Sequence, residues 1–203
     1  MLSYKEYLIE AKNQPVAFTF GRFNPITWGH EIVINRVIKE AGRNGIPMVF
    51  TSQSQDKLKN PLSYKDKLKF LKKFFRKAEV MNRPDIKTAF QVLEWLTKEG
   101  YKDVTFVVGG DRVDEFRKSM TKYVDNGTYT FDKFKVVNAA VRGGESISAT
   151  KMRNAVKEDD YEFFKSGLPK SARDADGKAM FNAVKKGMKW SEVLKIYKKV
   201  KNT

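Results

Sequence analysis

The stretch VAFTFGRFNPITWGHEIVINRVIKEAG, Val16 to Gly42, decides the fold. Residues 16–20, VAFTF, read as a short buried strand. From His30 to Arg43 the period changes. Val33, Ile34, Val37, Ile38 and Ala41 recur at spacings of three and four, the stripe of an amphipathic helix, and Gly42 marks its stop. Between strand and helix lies GRFNPITWGH, Gly21 to His30, which ends on the single histidine of the chain.

The order strand, loop, helix continues downstream. Pro47 to Thr51 reads as a second strand, and Ser52 to Pro61 is a polar loop. Ser63, with Asp66 three residues on, forms a capping-box variant ahead of a helix whose apolar stripe is expected at Tyr64, Leu68, Leu71 and Phe75. A helix over Thr88 to Lys98 and strands at Val104 to Val108 and Phe134 to Val137 follow. Alternating β and α without hairpin signals predict an α/β, Rossmann-like three-layer sandwich with a parallel sheet. After Ser148 the pattern is helical, and Trp190, Val193, Leu194, Tyr197 and Val200 outline an amphipathic last helix. The expected organisation is an N-terminal helical segment over 1–13, a main domain over 14–158 and a C-terminal helical extension over 159–203.

Composition narrows the classes. The 203 residues are 41% apolar, enough to bury a core, and include no cysteine, which excludes disulfides and thiolate metal sites. No apolar run reaches the roughly 18 residues of a membrane span, and no secretory h-region opens the chain. A cytoplasmic protein with no membrane partner is expected. Forty basic against 24 acidic residues give a net charge of +16. That surplus favours polyanionic ligands: nucleotides, and also non-specific nucleic acid. It is concentrated in Lys57 to Lys77, with nine basic residues and one acid, and in Lys185 to Asn202, with seven and one.

The loop from Gly21 to His30 runs from a strand's C-terminal end to a helix N-terminus, where open α/β sheets bind ligands. Gly21 permits close backbone approach, Pro25 stiffens the turn, and the helix's first N–H groups suit a phosphate. His30 adds a donor to that anion and Thr27 a hydroxyl. The segment resembles the first signature of the nucleotidyltransferase superfamily, an (H/T)-x-G-H motif after the first strand. Its second signature, I-S-x-T-x-x-R, stands here as ISATKMR, Ile147 to Arg153, and the Gly-x-Asp that often ends a middle strand stands as VVGGD, Val107 to Asp111. The resemblance covers about residues 14–165. GRF and KNPLS (Lys59 to Ser63) look most like nicotinamide-mononucleotide adenylyltransferases, with Thr27 where that subgroup usually has histidine, as in the phosphopantetheine branch.

The resemblance implies attack of a phosphomonoester oxygen on the α-phosphorus of a nucleoside triphosphate, most readily ATP, with release of pyrophosphate. It implies that Gly21, Arg22, Phe23, Asn24 and Gly29 bind the nucleotide and that Thr27 and His30 grip the α-phosphate. Ile147, Ser148 and Thr150 would take the β- and γ-phosphates beside the Arg153 cation, and Gly109 and Asp111 would meet the nucleoside or acceptor. Lys57, Lys59 and Trp95 are further candidates for acceptor or phosphate. Mg2+ would arrive with the triphosphate, held mostly by phosphates and water; no carboxylate cluster looks like a dedicated metal cage. A homo-oligomer is left open. MLSYKEYLIEA, at the start, resembles the targeting sequences of internal head proteins of large tailed bacteriophages, cut after a Leu-x-Glu or Ile-x-Glu triplet, here Leu8-Ile9-Glu10. The second reading that follows is a catalytically lapsed nucleotidyltransferase fold serving as a basic, DNA-associated or virion-internal phage protein. The chain is too short for a class I aminoacyl-tRNA synthetase, the third reading.

Overall fold

The run Val16–Gly21 forms β1 because alternate residues find two different apolar partners. The structure, a computed structural model, describes residues 13–110, 113–139 and 147–201. Along them follow α1 (Trp28–Ala41), β2 (Ile46–Thr51), α2 (Tyr64–Phe74), β3 (Glu79–Val80), α3 (Ala89–Glu99), β4 (Asp103–Val108), α4 (Val113–Asp125), β5 (Lys133–Asn138), α5 (Ala149–Lys157), α6 (Tyr161–Ser166) and α7 (Asp174–Lys201). The five strands are ordered β3-β2-β1-β4-β5. The pairs β1–β4, β2–β3 and β4–β5 are parallel, with Phe18 opposite Phe106. This is the Rossmann-like parallel sheet flanked by helices that the sequence predicts.

Two compact units divide the chain. One takes the described residues within Met1–Gly21, Ile32–Phe50 and Lys77–Gly143, and the other those within Arg22–Glu31, Thr51–Arg76 and Gly144–Thr203. The first holds the sheet core. Val16 and Phe18 of β1, with Phe106 of β4, pack against Val92, Leu93 and Leu96 of α3 and against Val113 and Met120 of α4. The intervening Ala17 and Val107 meet Val33, Val37 and Ala41 of α1, so the two sheet faces are covered by different helices. Phe18 stacks on Phe106 at 4.6 Å and meets Phe50 edge-on at 6.2 Å. Gly42, at φ 71, takes the left-handed conformation at which α1 stops.

Three features depart from the sequence reading. The helix α4 is not expected from the sequence, since its apolar residues Val113, Phe116 and Met120 are diluted by Asp114, Glu115, Arg117 and Lys118. The two-residue β3 is too short for any periodicity. In α2 the buried residues are Lys67, Phe70, Leu71 and Phe74; of the expected stripe Leu71 and Phe75 are buried, whereas Tyr64 and Leu68 are half-buried. Residues 1–12, which include the targeting motif, lie outside the described residues, as do the side chains of the amphipathic face from Trp190 to Val200. Among the described residues no helix is long and apolar enough to cross a membrane.

In the second unit, α2 starts as expected. Ser63 Oγ accepts from the Asp66 N–H at 3.1 Å and donates to its carboxylate at 2.6 Å. The turn of the helix toward Lys67 has a physical reason. Its ammonium, fully buried, donates to the carbonyls of Ser52 at 2.5 Å and Ser54 at 3.1 Å and so fixes the chain leaving β2. Burial pushes its pKa from 10.5 down to about 8. Between those values the unfolded chain binds the proton and the folded chain does not, so stability rises with pH through that window. The stability of the protein relative to its Lys67→Met variant should therefore increase from pH 8 toward 10.5 in urea unfolding. A difference independent of pH would contradict the buried ammonium.

Candidate active site

The second unit also carries the loop after β1. Thr27 starts α1 two residues earlier than the apolar spacing implies, because its carbonyl accepts from the N–H groups of His30 at 3.0 Å and Glu31 at 3.2 Å. His30 is thereby fixed in the first turn and folds back on Thr27. The Thr27 N–H donates to His30 Nδ1 at 2.9 Å. A nitrogen that accepts carries a lone pair, so the neutral ring holds its proton on Nε2. The Thr27 hydroxyl, 3.0 Å from the same Nδ1, donates to it in this tautomer. Burial, and then the charge of Arg22, push the His30 pKa from 6.5 down to about 4. Some of its surface stays open even though the ring is closely surrounded, with Phe23 at 4.8 Å.

That open side faces a cavity of about 500 Å³ with three walls. Arg22, Phe23, Asn24 and His30 make the first, Leu58, Lys59 and Asn60 the second, and Ala149, Thr150, Arg153, Asn154 and Lys157 the third. Asn24 is buried and bonds twice to Leu62, its Nδ2 donating to the carbonyl at 3.1 Å and its Oδ1 accepting from the N–H at 2.9 Å. Arg153 donates to the Asn24 carbonyl at 2.8 Å and to Thr150 Oγ1 at 2.9 Å. These are two of its five N–H groups; among the described residues no acceptor takes the others. Burial and the neighbouring Arg22 lower the Arg153 pKa, and Asp56 opposes them; a guanidinium remains a cation at any working pH.

The second wall hangs on Asp56. Burial would raise its pKa, but donation from the N–H of Lys59, the Asn60 side chain and the N–H groups of Leu58 and Asn60 outweighs that and holds it at about 2. The carboxylate is thus spent on its own turn. Gly187 of α7 packs on that loop's end so closely that a Cβ would lie 2.1 Å from the Pro61 carbonyl oxygen.

At the N-terminus of α5, Ser148 Oγ accepts from the Lys151 N–H at 3.2 Å, and the Ser148 carbonyl accepts from Met152. Among the described residues no acceptor takes the N–H groups of Ala149 and Thr150, which lie on the cavity wall in that first turn. The described wall holds four cations, Arg22, Lys59, Arg153 and Lys157, and no carboxylate. Such a donor set suits a polyanion.

Of the expected site residues, Arg22, Phe23, Asn24, His30, Lys59, Thr150 and Arg153 converge on this cavity. Gly21 ends β1, Gly29 lies in the first turn of α1, and Ile147 and Ser148 lead into α5. Thr27 is 5% exposed and acts on the His30 ring rather than on the wall. Lys57 is half-buried outside the lining. Gly109 follows β4, where a Cβ would lie 3.0 Å from Val33. Trp95, partly buried against the sheet core, packs on Phe50 and Tyr101 under the Arg83 guanidinium. Asp111 lies outside the described residues. The wall also includes Leu58, Asn60, Ala149, Asn154 and Lys157, which the sequence reading missed. Lys157 follows Thr150 and Arg153 at i+7 and i+4, a helical spacing that carried the signal.

Residues 18–155 match the protein family described as Cytidylyltransferase-like. No curated protein matches the chain. Among solved structures, a bifunctional NMN adenylyltransferase/ADP ribose pyrophosphatase from Francisella tularensis aligns at a TM-score of 0.57 and 11% identity, covering 92% of this chain. Thermotoga maritima TmcAL bound with alpha-thio ATP aligns at 0.51 and 13%, covering 86%. This chain spans 56% of the length of each. At such identities the likeness concerns the fold.

The lone imidazole makes the site directly observable. A 15N-histidine NMR titration should show one ring, in the Nε2–H tautomer, titrating near pH 4. A midpoint near 6.5 would contradict the buried, Thr27-bonded ring. Because the folded pKa lies below the unfolded one, this group removes stability as pH falls from 6.5 toward 4.

Proposed function

The chain belongs to the cytidylyltransferase-like family, and on that premise we propose that it transfers AMP from ATP to the phosphate of a small acceptor such as nicotinamide mononucleotide. Nucleotidyl transfer is the chemistry of this family. The observation that carries the reading is the His30 ring, whose Nδ1 accepts from Thr27 and whose Nε2–H is left to donate in a cavity walled by cations. The choice of AMP and of the acceptor is supported by GRF and KNPLS in the sequence, and by the adenylyltransferase among the fold neighbours.

The reaction divides as follows. An acceptor phosphate oxygen attacks the α-phosphorus and forms a new P–O bond. The bond from that phosphorus to the α,β-bridging oxygen breaks, and pyrophosphate leaves with its electron pair. His30 Nε2–H donates to a non-bridging α-oxygen. The Ala149 and Thr150 N–H groups and Arg153 take up charge on the leaving pyrophosphate, and Thr27 keeps the imidazole aimed. Catalysis of this kind is positioning and electrostatic stabilisation, without a covalent enzyme intermediate.

Pyrophosphate release, measured with each nucleoside triphosphate against a panel of phosphomonoesters, tests the proposal. Release is expected with ATP and nicotinamide mononucleotide, and His30→Ala should lower kcat by about 10²-fold or more with the fold intact. Arg153→Lys keeps the charge but loses the fork, so it should impair triphosphate use more than binding of the product. No release from any pair, or near-normal turnover without His30, would refute the assignment.

A further inference from the structure

The cavity uses little of the surplus charge. On α2, Lys65, Lys69 and Lys72 are exposed at spacings of four and three, which at about 100° per residue places them within about 60° of one another. They lie opposite the buried face of Lys67, Phe70, Leu71 and Phe74. Arg76 is exposed just beyond the helix end, so the row runs for about 16 Å. The one acid of the helix, Asp66, is bonded to Ser63, and Lys73, off the row, pairs with Asp176. Among the described residues no carboxylate pairs with Lys65, Lys69, Lys72 or Arg76. Other exposed helix cations among the described residues are either paired, as Lys98 is with Glu94, Arg117 with Asp114 and Lys178 with Asp174, or form no row of this length, as Lys39 of α1.

We propose that this face of α2 binds the phosphate backbone of duplex nucleic acid without sequence preference, apart from the nucleotide cavity. A solvated helix face normally interleaves both signs, whereas this one is uniformly positive and linear. Lysines act as point charges on phosphates and, with no Asn or Gln on the row, nothing reads base edges. Single strands are bound by stacking on exposed rings, and the row has none. An anionic membrane surface would call for apolar side chains beside the lysines. Among the described residues the large exposed hydrophobic ones are Leu58, Tyr123 and Phe163, none of them on α2.

The test is fluorescence anisotropy with two unrelated 20-base-pair DNA duplexes across a salt series. It compares the full chain, K65Q/K69Q/K72Q/R76Q, and a charge-matched control with scattered exposed lysines replaced, K39Q/K87Q/K118Q/K122Q. Circular dichroism and urea midpoints establish that both variants fold. The full chain should bind both duplexes alike, with affinity falling steeply in salt. The α2 variant should lose about tenfold or more at low salt, and its log–log salt slope should drop by about 3 to 4, one counterion for each phosphate that the variant no longer neutralises. The control and His30→Ala should bind like the full chain, which separates this surface from the catalytic reading. Equal losses in both quadruple variants would overturn the proposal. So would absence of duplex binding, or tighter binding to phosphatidylserine vesicles than to DNA.

Discussion

Three segments far apart in the sequence meet on Asn24. Its side-chain amide exchanges two hydrogen bonds with the backbone of Leu62, and its carbonyl accepts from Arg153, 129 residues away. A carboxylate at this position could not donate to the Leu62 carbonyl, and an aliphatic side chain could neither donate nor accept. With both partners buried or half-buried, each lost bond would leave a polar group unpaired at a cost of about 1–3 kcal/mol. The residue before it, Phe23, has a positive φ of 47, a conformation unusual for a non-glycine residue. Through Asn24, the His30 wall, the Lys59 wall and the Arg153 wall are held in one register, and Arg153 extends that register to Thr150.

A cavity walled by cations repels itself. Two devices in the second unit limit the effect. The imidazole is kept neutral by burial, Arg22 and the Thr27 N–H. Asp56, the acid that acts on Arg153, is fastened by its own turn, so its charge organises the loop instead of filling the cavity. Charge compensation is left to the ligand. Binding of a polyanion then stabilises the folded site by mass action as well as satisfying its donors. The N–H groups of Ala149 and Thr150, at the start of α5, add fixed dipoles that need no reorganisation when charge develops.

Much of this was legible in the sequence, and for physical reasons. The shift from VAFTF to the three-and-four spacing after His30 announces a strand feeding a helix, and ISATKMR announces a capped helix start. What the motifs could not convey is who bonds to whom. Thr27 and Asn24 read as ligand contacts, and the bonds of the Thr27 hydroxyl to the imidazole and of the Asn24 amide to Leu62 are not legible there. Lys67 sits in a basic run where every lysine looks solvated, and its burial follows from two backbone carbonyls 13 and 15 residues upstream. The helix α4 was hidden because few apolar residues suffice on a helix that covers only part of a sheet.

The central claim is that a triphosphate lies along the α5 N-terminus with its α-phosphorus beside His30. A crystal structure of the chain with a non-cleavable α,β-methylene ATP analogue tests it most directly. It should show an α-phosphate oxygen within hydrogen-bond distance of His30 Nε2, and the β- and γ-phosphates on Arg153 and the N–H groups of Ala149 and Thr150. An analogue bound with its phosphates away from His30, or excluded from the cavity at saturating concentration, would contradict the account.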